Sequence, residues 1–146
     1  MEKNKVELLH KELSYEIQGI AFEIRKSFGL GHKEQIYQKV FEKELKQRNL
    51  PYKREKAIKI FSPKDGSFIG LYRPDFVVDE KIIVEIKTYK FVPRAEMRKI
   101  YDYLRNSEYE LGYLINFSSP RLYLKRIIYT NNRKQWLTEI EKLKNG

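Results

Sequence analysis

Ile82-Ile83-Val84-Glu85-Ile86-Lys87 is the stretch that decides how this chain of 146 residues folds. So nearly unbroken an apolar run suits a central strand covered on both faces. Glu85 and Lys87 are foreign to such a strand, because burying an unpaired charge is costly. Two residues apart, they share one face with Ile83, while Ile82, Val84 and Ile86 take the other.

Immediately upstream, Phe68 to Val78 reads as another strand, joined to the first by Asp79-Glu80-Lys81. Taken as a three-residue hairpin loop, that junction pairs Val78 with Ile82. Phe76 then falls opposite Val84, Asp75 opposite Glu85, and Arg73 opposite Lys87. Directly opposed residues share a face, with Cβ atoms roughly 4.5–5.5 Å apart. Apolar residues gather on one face and four charged residues on the other, an order that a one-residue slip would destroy.

Two carboxylates held so close repel each other. One resolution is a divalent cation, since carboxylate oxygens, the carbonyl of Ile86 and water make an ordinary shell for Mg²⁺ or Mn²⁺. Lys87 would then orient or deprotonate a metal-bound water, and Arg73 would grip a phosphate. The other resolution is structural, with Asp75–Arg73 and Glu85–Lys87 as salt bridges in a half-exposed sheet. The residue pattern by itself leaves both standing.

Working outward, Val6, Leu9, Leu13, Ile17, Ile20, Ile24 and Phe28 recur at helical steps, and Gly29-Leu30-Gly31 stops them. Ile36, Tyr37, Val40, Phe41 and Leu45 mark a second helix that ends at Asn49-Leu50-Pro51. Ala57 to Phe61 reads as a strand closed by a turn at Ser62–Gly66. Downstream, Pro93 opens a helix to about Asn106, with Met97, Ile100, Tyr101 and Leu104 inward. Leu111–Asn116 and Leu122–Ile128 read as strands, and a last helix carries Trp136, Ile140 and Leu143. The order ααβββαββα describes an α/β sandwich, a mixed sheet flanked by helices.

Composition narrows the chemistry. With no cysteine and only His10 and His32, zinc–thiolate and His-rich centres are excluded, so any metal must sit on carboxylates and carbonyls. Thirty Lys+Arg against twenty Asp+Glu leave a net charge of +10, which favours a polyanionic partner. The charged N-terminus does not read as a signal peptide, and no run reaches membrane-spanning length, so a cytoplasmic location is expected.

Arg73-Pro74-Asp75, nine residues, then Glu85-Ile86-Lys87 resembles the PD-(D/E)XK nuclease superfamily. Gly31-His32-Lys33-Glu34-Gln35-Ile36-Tyr37 is similar to the motif that names the GxxExxY branch of it. Leu114-Ile115-Asn116-Phe117 and Pro120-Arg121-Leu122 look like that branch's later strand and turn. The resemblance implies a restriction-endonuclease-like αβββαβ core, a divalent metal and phosphodiester cleavage, most naturally in DNA. It implies Glu34, Asp75, Glu85 and Lys87 as catalytic residues, with Glu34 reaching the metal site beside Asp75, Glu85 and Ile86. On this reading residues 1–130 are the nuclease-like domain, and 131–146 are a helical extension packed on it. One departure stands out, because Lys99 falls where related proteins commonly carry a glutamine.

Lys90, Arg94, Arg98 and Lys99 cluster just after the ExK strand, so with Arg73 and Tyr37 they are the expected nucleic-acid contacts, although Tyr37 reads equally well as packing under Glu34. A solvated helix face is the competing reading of that cluster. A binding module that keeps the fold without cleaving is the alternative function. DNA is favoured over RNA as partner, and a homodimer is a further expectation by analogy.

Overall fold

In the computed structural model, which describes residues 9–145, the apolar stripe winds into helix α1 (Lys11–Phe28), burying Ile17, Ile20, Ala21 and Ile24. Val6, which opens that stripe, lies outside the described residues, as does the side chain of Leu143. Gly29 ends the helix at φ 67°, a left-handed backbone conformation, and its N–H donates to Arg25 O at 2.9 Å. Helix α2 (Glu34–Gln47) turns Tyr37, Phe41 and Leu45 inward. It finishes in a Schellman turn, with Asn49 at φ 56° and the Leu50 N–H donating to Leu45 O at 2.9 Å.

Strands β1 (Tyr52–Arg54), β2 (Ile58–Phe61), β3 (Phe68–Tyr72), β4 (Phe76–Val78) and β5 (Ile82–Lys87) follow. Helix α3 (Arg94–Arg105), β6 (Leu111–Asn116), β7 (Tyr123–Ile128), a 3₁₀ turn (Asn131–Arg133) and α4 (Gln135–Asn145) complete the chain. One sheet has the order β1-β4-β5-β6-β7, and β2-β3 forms a separate hairpin. β5 and β6 run parallel, joined by the α3 crossover, while the other pairs are antiparallel.

The register of β4 on β5 is the expected one. Val78 pairs with Ile82 and Phe76 with Val84, across a turn whose Asp79 and Glu80 have φ of 50° and 54°. Two expectations need correction. Phe68–Val78 is not one strand but two, in different sheets, because Pro74 has no N–H to donate and cannot carry a ladder through. β1, three residues long, is too short to leave an alternating pattern and was not anticipated.

The sheet separates two cores. Ile82, Val84, Ile86, Phe76 and Tyr113 pack beneath α1 and α2. Ile83, Val77 and Leu114 pack with Ile100 and Leu104 of α3 and with Ile58, Ile60 and Tyr72 of the hairpin. Gly112 lets α3 come this close, for a Cβ there would sit 3.0 Å from Ile100 Cγ2. Each fully buried aliphatic side chain contributes roughly 1.5–3 kcal/mol. Glu85 and Lys87 therefore emerge on the α3 and hairpin side of the sheet.

Beyond β7, Trp136 stacks on Phe61 at 5.1 Å between centroids and donates its Nε1 proton to Arg105 O at 2.9 Å. The buried Lys134 ammonium donates to Ser107 O and Tyr109 O, both at 2.7 Å. Among the described residues no helix is long and apolar enough to cross a membrane.

Candidate active site

Pairing between β4 and β5 stops at Phe76↔Val84. In a strand, alternate residues aim their peptide groups at alternate neighbours. Lys87 O accepts the Phe117 N–H at 3.0 Å on the β6 side, so Ile86 faces the β4 side. Its next partner there would be Pro74, which has no N–H. The Ile86 N–H goes instead to the Asp75 carboxylate, whose Oδ2 accepts it at 2.8 Å. The Ile86 carbonyl is left on the same edge with no ladder donor opposite.

Glu85 is buried, and its Oε1 accepts two protons, from the Tyr72 hydroxyl at 2.8 Å and the Asp75 N–H at 3.0 Å. Burial and the neighbouring Asp75 charge push its carboxyl up to about 7, against the pull of the Tyr72 bond. Burial likewise raises Asp75, against the Ile86 bond and Lys87. Asp75 Oδ1 and Glu85 Oε2 make no hydrogen bond among the described residues. The two acids thus sit in an electron-rich corner with spare oxygens, a donor set that fits a hard cation.

Lys87 lies between two carboxylates, its Nζ 4.0 Å from Glu85 Oε2 and 3.9 Å from Glu96 Oε2. Burial works against its charge, but Glu85, Glu96, Glu34 and Asp75 outweigh it and hold the ammonium above its usual value. Glu96, in the first turn of α3, is fixed from its other oxygen by the Tyr89 hydroxyl at 3.0 Å. Glu34 opens α2 and faces the same group. Its carboxyl is raised by burial, lowered by Lys87, and raised again by Asp75 and Glu96.

No three carboxylate or imidazole side chains among the described residues converge tightly enough to enclose an ion. A cation at Asp75 and Glu85 would be completed by the Ile86 carbonyl and water. An open groove of about 1000 Å³ lies elsewhere, lined by Lys11, Ser14, Leu50, Asp79 and Arg126 among others. Asp79 is at the far end of β5 from Lys87.

The model of the PD-(D/E)XK nuclease superfamily matches residues 11–127. The chain belongs to that superfamily. Its fold is similar to that in a crystal structure of SSO0001, with a TM-score of 0.50 at 20% identity. That match covers 77% of this chain and 59% of SSO0001, so this chain spans well under two thirds of its neighbour. No curated protein matches the sequence. PD-(D/E)XK nucleases typically use divalent metals, which agrees with the carboxylate chemistry of the corner.

Within this PD-(D/E)XK domain, the expected acids and Lys87 are brought together, whereas other expected residues go elsewhere. Arg73 is exposed and does not oppose Lys87, since the chain leaves the ladder at Pro74; its Nη1 lies 3.4 Å from Glu55 O. Tyr37 is a core residue rather than a surface contact. It is fully buried, stacked on Phe117 at 4.6 Å, and its hydroxyl donates to Gly29 O at 2.6 Å, which secures the loop before Glu34. Lys90, Arg94, Arg98 and Lys99 are all exposed.

Glu96, Tyr72 and Asn116 escaped the sequence reading. Glu96 looks like any acidic residue in a first helical turn, where it suits the helix dipole. Tyr72 was hidden by the expectation of one continuous strand. Asn116, fully buried, bonds both peptide groups of Tyr89, with Oδ1 accepting at 2.7 Å and Nδ2 donating at 2.8 Å.

Proposed function

We propose that this PD-(D/E)XK protein is a divalent-metal-dependent nuclease that hydrolyses phosphodiester bonds in DNA, and that it falls in the GxxExxY branch on the strength of Gly31–Tyr37. The observation that carries the reading is the Asp75–Glu85 corner at the end of β5. A buried acid, Glu85, and a half-buried one, Asp75, brace each other there, beside a carbonyl released from the ladder.

Asp75, Glu85 and the Ile86 carbonyl would hold Mg²⁺ or Mn²⁺, with Glu34 acting through water. The bound cation supplies Lewis acidity toward the phosphate oxygens and a more acidic water. Lys87 is a charged donor between Glu85 and Glu96, which suits it to orient the attacking water and offset charge on the phosphate rather than to act as a base. Water oxygen bonds to phosphorus and gives up one proton to solvent, the bond to the leaving oxygen breaks, and that oxygen takes a proton from solvent. Glu96 keeps the Lys87 ammonium at the rim of the corner, and Tyr72 fixes the Glu85 carboxylate. The exposed cations of α3, Arg94, Arg98 and Lys99, suit the flanking phosphates.

The test is cleavage of labelled DNA, with RNA alongside, in Mg²⁺, Mn²⁺ and EDTA. Metal-dependent cutting abolished in Asp75→Ala and Lys87→Ala supports the nuclease. Activity unchanged in both variants sinks it. Salt-sensitive binding without cleavage under any metal would favour a binding module, for which the exposed Lys99 in place of a glutamine is the supporting observation.

A further inference from the structure

We propose that Phe91 is a base-stacking platform beside the active site and that the preferred substrate carries unpaired bases there, an inference that rests on the nuclease reading. The loop of residues 88–93 leaves β5 at Lys87 and returns in α3, and Lys87 and Glu96 meet at its two ends. Asn116 clamps its start through both peptide groups of Tyr89. At its finish, Val92 packs against the α3-side core, and Pro93 O accepts the Glu96 N–H at 3.1 Å.

Between these fixed points the chain displays Phe91, 73% exposed. Apolar area on a short anchored loop is held in water rather than folded away. Tyr89, in the same loop, has its hydroxyl committed to Glu96, so Phe91 is the ring with a face to offer. The Lys90 ammonium lies 5.8 Å from the Phe91 centroid, and Arg94 is exposed just beyond. A flat ring flanked by cations matches a nucleotide, base on the ring and phosphate on the charge. Four residues from Lys87, the Phe91 Cα is at most about 14 Å along the chain from the Lys87 Cα. That distance places the stacked base within a few nucleotides of the scissile bond.

Pairing state follows from the same chemistry. A base inside a duplex is covered above and below by its neighbours and shows only its edges, whereas an unpaired base offers a π face. The two other most exposed aromatics do not share this setting. Tyr15 and Phe22 lie on α1, on the opposite side of the sheet from α3.

The experiment is fluorescence anisotropy in EDTA, with the full chain and three dye-labelled DNAs: a single strand, a blunt duplex, and that duplex with a single-stranded flap. Wild type is expected to bind single strand and flap about tenfold or more tighter than blunt duplex at equal salt. Phe91→Ala should lose roughly 5- to 150-fold on those two substrates, the value of one base stack, and nothing on the duplex. Phe91→Trp should restore binding, with indole emission quenched by single strand and flap but not by blunt duplex. Equal wild-type affinity for all three DNAs, or a Phe91→Ala loss that is absent or uniform, overturns the platform. Absence of cleavage in Mg²⁺ and Mn²⁺ with this binding pattern intact overturns the nuclease reading and leaves the platform standing.

Discussion

Asp75 and Glu85 each bind the backbone of the other's strand segment. The Asp75 N–H donates to Glu85 Oε1 at 3.0 Å, while Asp75 Oδ2 accepts from Ile86 N–H at 2.8 Å. Neither acid can turn without disturbing the other.

A cation bound to that pair should stabilise the fold by linkage. At a hundredfold excess over Kd, Mn²⁺ should raise the melting temperature by roughly 5–10 °C. Asp75→Asn should abolish the increase and lower cleavage at least ~100-fold. Thermal melts with and without Mn²⁺ check this, and an equal shift in the variant would refute the site.

The metal-free protein should lose stability as pH rises. Glu85 ionises near 7 in the fold, against about 4.5 in the unfolded chain, so between those values the folded state holds the extra proton. Stability is therefore fullest below about pH 4.5 with respect to this group and declines through pH 7, by a few kcal/mol at most. Glu85→Gln should flatten that decline in urea melts taken across the range. A slope that persists in Glu85→Gln assigns it to another group.

Removing the Tyr72 hydroxyl leaves one buried oxygen of Glu85 short of a donor. Tyr72→Phe keeps the ring stacked on Tyr103 at 3.7 Å between centroids and should cost about 1–3 kcal/mol. A loss of melting temperature together with weaker Mn²⁺ affinity is expected. Unchanged affinity would mean that Glu85 is oriented by the Asp75 N–H alone.

Glu96→Gln should lower kcat about tenfold with KM unchanged, because it removes one of the two carboxylates holding the Lys87 ammonium. Glu96→Asp should recover part of the loss. A KM effect without a kcat effect would place Glu96 in substrate binding.

Lys134→Met should destabilise by roughly 3–5 kcal/mol, since two carbonyls of the α3–β6 connection lose a buried charged donor. Denaturant melts measure it; a neutral outcome would mean that water replaces the ammonium.

The β4–β5 register was legible because its hydrophobic pattern allows one pairing, and its charges then fall where the structure has them at Asp75, Glu85 and Lys87. The placement of Arg73 was not, since extending that register assumed pairing through Pro74, a residue that cannot donate. Glu34 was legible by resemblance alone. In isolation it is a glutamate in a helix's first turn, and its closeness to Lys87 depends on how α2 packs across the sheet. Glu96 was hidden for the same reason, as the angle of α3 is set by contacts such as Ile100 on Gly112 that one sequence does not reveal.

Pro74 also makes the segment from Tyr72 to Asp75, with Arg73 and Pro74 between, a measured span. Tyr72 at one end and Asp75 at the other donate hydrogen bonds to the same oxygen, Glu85 Oε1. One residue added or removed there would turn one donor away, as a caliper reset by a single notch no longer grips its object. The exposed turn at the hairpin's other end, Lys64 and Asp65, carries no such duty. Length variation among relatives should therefore collect at that tip and spare the span, a record of function written in spacing rather than in residue type.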